Sequence, residues 1–377
     1  MRPSPPPLHP GVPQMSHSPR RAFLQQTGML GAAALLDTPG QAADKTSPNP
    51  IDEYDPANIK LARRVPGSLQ DDDMRFLQQL GLRWVRVDLS REQANLGFMT
   101  ELQQRLTRFG IGIYSAVHPV QSSVKIGLGL AGRDAEITEY QQFLQVLGRL
   151  NIPVAGYAFH PGNTYSTGRT VHRGYSVRLF DLAVFRKSVE KPRFDRSYSA
   201  AEMWDNYEYF MRRVLPVAED SDVRMALHPD DPPVAMMNGV AKLFTHYDGY
   251  RRADEIANHS PYWGALLCVG TWSEGGGKMG KDVFEMIRHF GSQEKLFAIH
   301  FRNVSGTLPR FHETFPDDGY QDMPRVMRTL REVGFHGSVI ADHIPQMIND
   351  TGLQQSGAAY CVAYMRALLR QANREVG

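Results

Sequence analysis

Residues 224–233 read R-M-A-L-H-P-D-D-P-P, and this stretch has the pattern of a buried strand that ends abruptly. The apolar run 225–227 is typical of strands that are covered on both faces. Pro232 and Pro233 cannot continue a central strand, because proline has a fixed φ and no backbone N–H. The chain must therefore leave the sheet just after His228, which places an imidazole and two aspartates at the carboxyl end of a strand.

Three later segments repeat this arrangement, each as an apolar run that ends on a potential metal ligand. They are A-L-L-C-V-G-T-W with Cys268, F-A-I-H-F-R-N-V with His300, and S-V-I-A-D-H with Asp342 and His343. Spacings of 40, 32 and 42 residues separate His228, Cys268, His300 and Asp342, and each is roughly the length of one βα unit with its loops. Because equivalent ends of parallel strands lie together, these side chains could converge on one divalent transition metal.

Eight strand-like segments alternate with eight helix-like segments, which predicts an α/β fold of the (β/α)8 barrel type. The predicted strands are 59–65, 82–89, 110–118, 152–159, 223–229, 265–272, 296–304 and 337–343. The predicted helices are 69–80, 98–109, 135–150, 200–218, 240–257, 281–290, 323–333 and 357–372. An open doubly wound sheet is the alternative, but no glycine-rich phosphate loop follows the first strand. In a barrel the four candidate ligands fall at the functional ends of strands five to eight.

Composition excludes some classes of partner. The chain has 377 residues, 42% of them hydrophobic and 22% charged, with a formal net charge of +2. This balance is that of a soluble globular protein, and without a basic cluster interleaved with aromatics no nucleic acid is expected to bind. Two cysteines cannot build a disulfide framework, so Cys268 is better explained as a ligand.

Residues 1–43 are predicted to be a disordered leader followed by an export signal, and 44–377 to be the barrel domain. Arg20 and Arg21, the mild apolar run 28–36 and the small residues near position 42 resemble a twin-arginine signal. The alternative is a chance arginine pair before a short buried helix. The signal predicts a periplasmic protein, and the apolar run is too short to remain inserted in a membrane after cleavage.

The segment 161–198 is long for a connection between a strand and its helix. It carries Tyr165, Arg169, His172, Arg173 and Tyr175. Loops of this length are usually lids or disordered, and we expect a lid.

The polar strings at the strand ends closely resemble those of the mannonate dehydratase family, metal-dependent enzymes on a xylose-isomerase-like barrel. The matching strings are M-A-L-H-P-D-D-P-P at 225–233, C-x-G at 268–270, H-x-R-N at 300–303, F-H-E at 311–313, D-G-x-x-D-M at 318–323 and A-D-H at 341–343. The resemblance implies dehydration of D-mannonate to 2-keto-3-deoxy-D-gluconate. It also implies that His228, Cys268, His300 and Asp342 hold Mn²⁺ or Fe²⁺.

Dehydration removes the proton α to the carboxylate and the C3 hydroxyl, so it requires a base and an acid. The resemblance implicates Asp342 in proton transfer, and the adjacent His343 is the candidate partner. Neighbouring strand residues point to opposite faces, so both can face the barrel interior only if the strand ends before them. A sugar acid is the expected small-molecule partner, and its predicted contacts are Arg302 and Asn303, as a bidentate grip on a carboxylate, with Asp230, His312 and Glu313 from the matching strings.

The chain also departs from the family pattern. The family's H-G-R after the last strand is H-I-P at 343–345, and the tyrosine expected some fifteen residues after the aspartate is absent from 346–359. Tyr360 could replace it only if the loop were shifted. The family's aromatic pair on strand one is replaced around Arg64, and a family histidine appears as Gln121. Two alternatives therefore stay open, a metal-dependent sugar isomerase or epimerase and a non-catalytic sugar-acid binding protein, and a homo-oligomer is compatible with each.

Overall fold

The computed structural model describes residues 51–161, 165–189, 192–350 and 352–376, and the predicted leader lies outside these ranges. Eight parallel strands form a closed barrel: β1 (Lys60–Pro66), β2 (Trp84–Asp88), β3 (Gly112–Val117), β4 (Val154–Tyr157), β5 (Arg224–Leu227), β6 (Trp263–Cys268), β7 (Leu296–His300) and β8 (Ser338–Ile340). Each strand pairs with its neighbours in the chain, and β8 pairs with β1 to close the sheet. The predicted (β/α)8 barrel is therefore confirmed.

Helices surround the barrel: α1 (Asp71–Gln79), α2 (Leu96–Arg108), α3 (Val124–Leu128), α4 (Arg133–Arg149), α5 (Leu182–Val189), α6 (Ala200–Asp220), α7 (Tyr247–Ile256), α8 (Val269–Gly275), α9 (Val283–Gly291), α10 (Met323–Glu332) and α11 (Gln355–Val376). Local sequence explains where they begin. Ser199 and Glu202 form a reciprocal capping box at the start of α6, which satisfies backbone donors that the helix leaves free. A membrane-spanning helix is not found in the part of the chain that the structure describes.

Most predicted limits differ from the structure by a few residues, and the differences in two strands and one helix bear on the site. The strand predicted to reach position 272 ends at Cys268, because the backbone turns directly into α8. The strand predicted to reach position 304 ends at His300, and Asn303–Val304 is a separate strand of another sheet. The helix predicted to begin at position 240 begins at Tyr247, since Val240–Ala241 pairs with Met236–Met237.

A four-stranded antiparallel sheet, which we call the cap sheet, lies outside the barrel. Its strands in spatial order are Asn303–Val304, Arg310–Thr314, Tyr175–Asp181 and Gly168–His172. The predicted lid segment thus contributes a hairpin and helix α5, and the loop after β7 contributes the other two strands. Buried apolar side chains attach the cap sheet to the segment after β5 through a cluster of Phe180, Phe185, Val234, Met237, Val304 and Phe311.

Candidate metal and substrate site

Three of the four predicted metal ligands lie together at the carboxyl end of the barrel. The ligand atoms of His228, Cys268 and His300 all lie within 4.8 Å of one another. Cys268 and His300 are the last residues of β6 and β7 and are register partners, and His228 directly follows β5. Since side chains alternate along a strand, these three share the face of the sheet that encloses the barrel interior.

The donor set fits a divalent transition metal. Burial lowers the pKa of His228 to about 4, so its imidazole is neutral near pH 7. Its Nδ1 lies 2.6 Å from the carbonyl oxygen of Pro229 and donates to it, which leaves Nε2 with a free lone pair. Burial alone would raise the pKa of the Cys268 thiol, but Arg302 and His300 outweigh burial and lower it. The thiolate is the form of cysteine that binds metals.

Both ring nitrogens of His300 have protein neighbours. Arg86 Nη1 lies 2.8 Å from His300 Nε2, and Asp342 Oδ2 lies 3.3 Å from His300 Nδ1. Because arginine can only donate, Nε2 is the acceptor and the ring proton is on Nδ1, facing the carboxylate. A cation bound to this imidazole would therefore replace one of these two contacts.

Asp342, the fourth predicted ligand, lies beside the three-residue cluster rather than within it. Strand β8 ends at Ile340, and His343 has a left-handed φ of +50°. The chain has therefore left the strand before position 342, and both Asp342 and His343 line the same cavity. Their side chains meet, with His343 Nε2 lying 3.5 Å from Asp342 Oδ2.

The environments of these two side chains drive their pKa values apart. Burial would raise the pKa of Asp342, but His343 and His300 hold it well below its usual range. Burial would lower the pKa of His343, but Asp342 and Glu313 raise it above its usual value. These opposite shifts favour a carboxylate at Asp342 and a protonated ring at His343, the arrangement of a base beside an acid.

Two adjoining cavities open around this pair. The inner cavity has a volume of about 390 Å³ and is lined in part by the two candidate histidine ligands, His228 and His300. The outer cavity has a volume of about 560 Å³. Both are within the range of ~300–1,000 Å³ that small-ligand sites occupy. The side chains that line both cavities are Arg64, Arg178, Asp342 and His343.

The structure places Arg302, predicted to bind substrate, against protein carboxylates. The side chain is fully buried, and it lies outside the residues that line either cavity. Its Nη1 donates to Glu313 at 2.7 Å, and its Nη2 lies 2.7 Å from Asp231 and 2.8 Å from Glu274. Of the predicted substrate contacts, Glu313 does line the outer cavity, where its Oε1 lies 2.6 Å from His343 Nδ1. Arg302 is thus placed to hold Glu313, which in turn contacts His343.

The other three predicted substrate contacts also lie apart from the cavities. Asn303 donates to the carbonyl oxygens of Pro316 and Gln321, each at 3.0 Å, and so ties a loop. Asp230 is buried, accepts from the Phe244 backbone N–H at 2.8 Å and lies 3.2 Å from the ammonium of Lys242. The His312 ring packs 4.7 Å from the His172 ring in the cap sheet.

Sequence reasoning missed several cavity residues. Arg86 points into the inner cavity from β2. Its charge on a strand that is otherwise mostly apolar and buried is the sequence feature that could have identified it. His160, a buried histidine after β4, and Arg178, on the cap sheet, reach the site only through tertiary structure. Tyr360 does not supply the missing tyrosine in this structure, because its hydroxyl donates to Asp317 and it lines neither described cavity.

Comparison with known proteins identifies the family that the chain resembles. A model of the family described as D-mannonate dehydratase (UxuA) matches residues 178–376, more than half of the chain. Mannonate dehydratase 2 of Halalkalibacterium halodurans is 28% identical over 269 residues, which cover 64% of this chain and 76% of that protein. The mannonate dehydratase of Thermotoga neapolitana is 25% identical over 329 residues, which cover 78% of this chain and 86% of that protein.

Solved structures agree in fold. The crystal structure of mannonate dehydratase from Streptococcus suis serotype2 superposes with a TM-score of 0.73 at 23% identity and covers 85% of this chain and 96% of that one. D-psicose 3-epimerase from Clostridium cellulolyticum H10 superposes with a TM-score of 0.54 at 14% identity and covers 82% of this chain and 99% of that one. At these identities the two structures show the shared barrel alone. By the family match over its carboxyl-terminal half and more, the chain belongs to the D-mannonate dehydratase family.

Proposed function

We propose that this protein is a metal-dependent hydro-lyase that removes water from a sugar acid, with D-mannonate as the reference substrate and 2-keto-3-deoxy-D-gluconate as the product. The observation that carries the proposal is the contact between Asp342 and His343, 3.5 Å apart in the cavity wall and next to a His-Cys-His cluster. Membership of the D-mannonate dehydratase family supports it.

His228, Cys268 and His300 are the side chains that would hold the metal, with Asp342 next to them. Two imidazoles, a thiolate and a nearby carboxylate suit a borderline divalent cation, and we propose Mn²⁺ or Fe²⁺. When bound, the cation would act as a Lewis acid that polarises oxygens of the substrate.

The chain's own groups account for the proton transfers. Asp342, held ionised, takes the proton from the carbon next to the substrate carboxylate. His343, whose pKa is raised in favour of the protonated ring, gives its proton to the departing C3 hydroxyl, which leaves as water. The enol that remains tautomerises to the 2-keto acid, and the 3.5 Å contact between the two side chains lets Asp342 return its proton to His343.

Glu313 and Arg302 have positioning roles in this scheme. Glu313 accepts from His343 Nδ1 at 2.6 Å, which orients the ring and favours its protonated form. Arg302 holds Glu313 at 2.7 Å from inside the protein. An imidazole fixed in this way needs no reorganisation when the proton moves.

The test is to load the purified protein with Mn²⁺ or Fe²⁺, add D-mannonate and measure 2-keto acid. We expect product with the wild type and at least ~100-fold less with Asp342→Asn, which keeps the shape but cannot act as the base. Deuterium exchange from solvent into a ketose without 2-keto acid would instead indicate an isomerase or epimerase. Binding of the sugar acid with neither product nor exchange would indicate a binding protein.

We also propose that residues 1–43 direct export and that the barrel acts in the periplasm. The arginine pair before a mild apolar run supports this. Fusion of residues 1–43 to a reporter that works only after export tests it, with Arg20→Lys combined with Arg21→Lys as the matched variant. We expect export of the first fusion and its loss in the second.

A further inference from the structure

The hairpin of the cap sheet carries two arginines directly opposite each other. Arg169 on the strand Gly168–His172 is the register partner of Arg178 on the strand Tyr175–Asp181. Directly opposed residues of an antiparallel pair point to the same side of the sheet, where like charges repel and destabilise the pairing. Both side chains line the outer cavity. The arrangement thus concentrates positive charge on one wall of that cavity at some expense in hairpin stability.

Neither guanidinium is neutralised by a carboxylate in the described part of the chain. Arg169 donates to the hydroxyl of Ser176 at 2.9 Å and to its carbonyl oxygen at 3.1 Å. Arg178 Nη1 lies 3.5 Å from His343 Nε2. These neutral or cationic neighbours leave both charges available to a ligand.

The acidic residues of the outer cavity already have partners. Asp88 pairs with Arg64 and with Arg86, the second at 3.1 Å. Glu313 is held by Arg302, and Asp342 lies between two histidines. Arg64 also lines the outer cavity, but it is already paired with Asp88 and lies 3.7 Å from Asp342. Arg169 and Arg178 therefore supply the unpaired positive charge that a ligand entering this cavity would meet.

The inner cavity alone is large enough for the reaction, so the outer cavity provides extra space. The inner cavity, with about 390 Å³ and the candidate metal ligands in its wall, is by itself of the size of a small-ligand site. The outer cavity adjoins it through Arg64, Arg178 and the Asp342–His343 pair. A substrate that reacts at this pair can therefore extend one end toward the metal ligands and the other toward Arg169.

We propose that Arg169 and Arg178 form a subsite for a second anionic group, so that the substrate is a sugar acid with negative charge at both ends. Guanidinium groups bind carboxylates and phosphates with paired, charge-assisted hydrogen bonds, so an aldarate and a terminally phosphorylated aldonate share the required chemistry. The proposal rests on the proposed dehydratase function and specifies its substrate class.

The test compares D-mannonate with D-mannarate and with D-mannonate 6-phosphate on the metal-loaded protein, at one fixed ionic strength because salt screens these charges. We expect kcat/KM for at least one doubly charged compound to exceed that for D-mannonate about tenfold, the value of one additional charge-assisted contact. The compound with the larger kcat/KM identifies the second group as carboxylate or phosphate. Equal or greater kcat/KM with D-mannonate would overturn the proposal.

Variants of Arg169 test whether the arginine pair causes the preference for a doubly charged compound. Arg169→Gln should lower about tenfold the ratio of kcat/KM for the preferred doubly charged compound to kcat/KM for D-mannonate. Arg169→Lys should retain part of the wild-type ratio. Arg186→Gln is the matched control, because Arg186 is an exposed arginine on α5 that lines neither cavity. An unchanged ratio in Arg169→Gln, or an equal loss in Arg186→Gln, would overturn the proposal.

Calorimetric binding of the same three compounds separates this subsite from the dehydratase function. Tighter binding of a doubly charged compound that is lost in Arg169→Gln, without any 2-keto acid, would support the subsite and reject the dehydratase function. Equal binding of all three compounds would reject the subsite whether or not D-mannonate is dehydrated.

Discussion

Arg86 Nη1 donates to His300 Nε2 across 2.8 Å, so a guanidinium occupies a lone pair that a metal would use. The contact is buried, and it also brings a positive charge to the place where a cation is expected. We predict that Arg86→Met tightens binding of Mn²⁺ about tenfold, because a charge-assisted hydrogen bond no longer competes. Titration calorimetry measures this, and Arg83→Met, at an exposed arginine nearby in sequence, is the control. Unchanged or weaker binding in Arg86→Met would contradict the interpretation.

The role of Cys268 as a metal ligand can be tested with Cys361, the other cysteine of the chain, as the control. We predict that His228→Ala and Cys268→Ala each lose most bound metal, since their donor atoms lie within 4.8 Å of the His300 donor. Cys361→Ala should keep its metal, because Cys361 is buried on α11 among apolar neighbours. Elemental analysis of the purified proteins gives the metal content. Stoichiometric metal in both ligand variants would refute the assignment.

The acid–base pair predicts a bell-shaped dependence of kcat/KM on pH. Activity should fall on the acidic side as Asp342, whose pKa is held low, gains a proton, and on the basic side as His343, whose pKa is raised, loses one. Glu313→Gln removes a negative charge that raises the pKa of His343, so the basic limb should move to lower pH while the acidic limb stays in place. A pH–rate profile of both proteins measures the two limbs. Movement of the acidic limb alone would contradict this assignment.

Arg302 should be essential to stability as well as to the site. Arg302→Met leaves Asp231 and Glu313 buried without their cation, and we predict a loss of about 3–5 kcal/mol in the free energy of unfolding. Arg310→Met is the control, because its pair with Asp181 is exposed and 3.8 Å long and should contribute below about 1 kcal/mol. Denaturant titration measures both. A loss in Arg302→Met no larger than in the control would show that these carboxylates are neutralised in another way.

The sequence was sufficient for the barrel and for the clustering of His228, Cys268 and His300, because both depend on local patterns. Buried parallel strands give apolar runs, and a ligand at the end of each run falls automatically at one edge of the sheet. The sequence could not assign the role of Arg302. An H-x-R-N string does not show whether the guanidinium contacts a ligand or carboxylates that are distant in the chain. It also could not reveal Arg178, because the cap sheet pairs segments more than a hundred positions apart.

The cap sheet joins the arginine hairpin to the segment after His300 through paired backbones. One of its outer strands begins at Asn303, three residues after His300, while the opposite edge carries Arg169. If a ligand displaced the hairpin, the movement would be passed along these hydrogen-bonded strands toward the imidazole of His300. Occupancy of the metal and affinity for the distal end of the substrate should be thermodynamically coupled, so that each strengthens or weakens the other by the same factor.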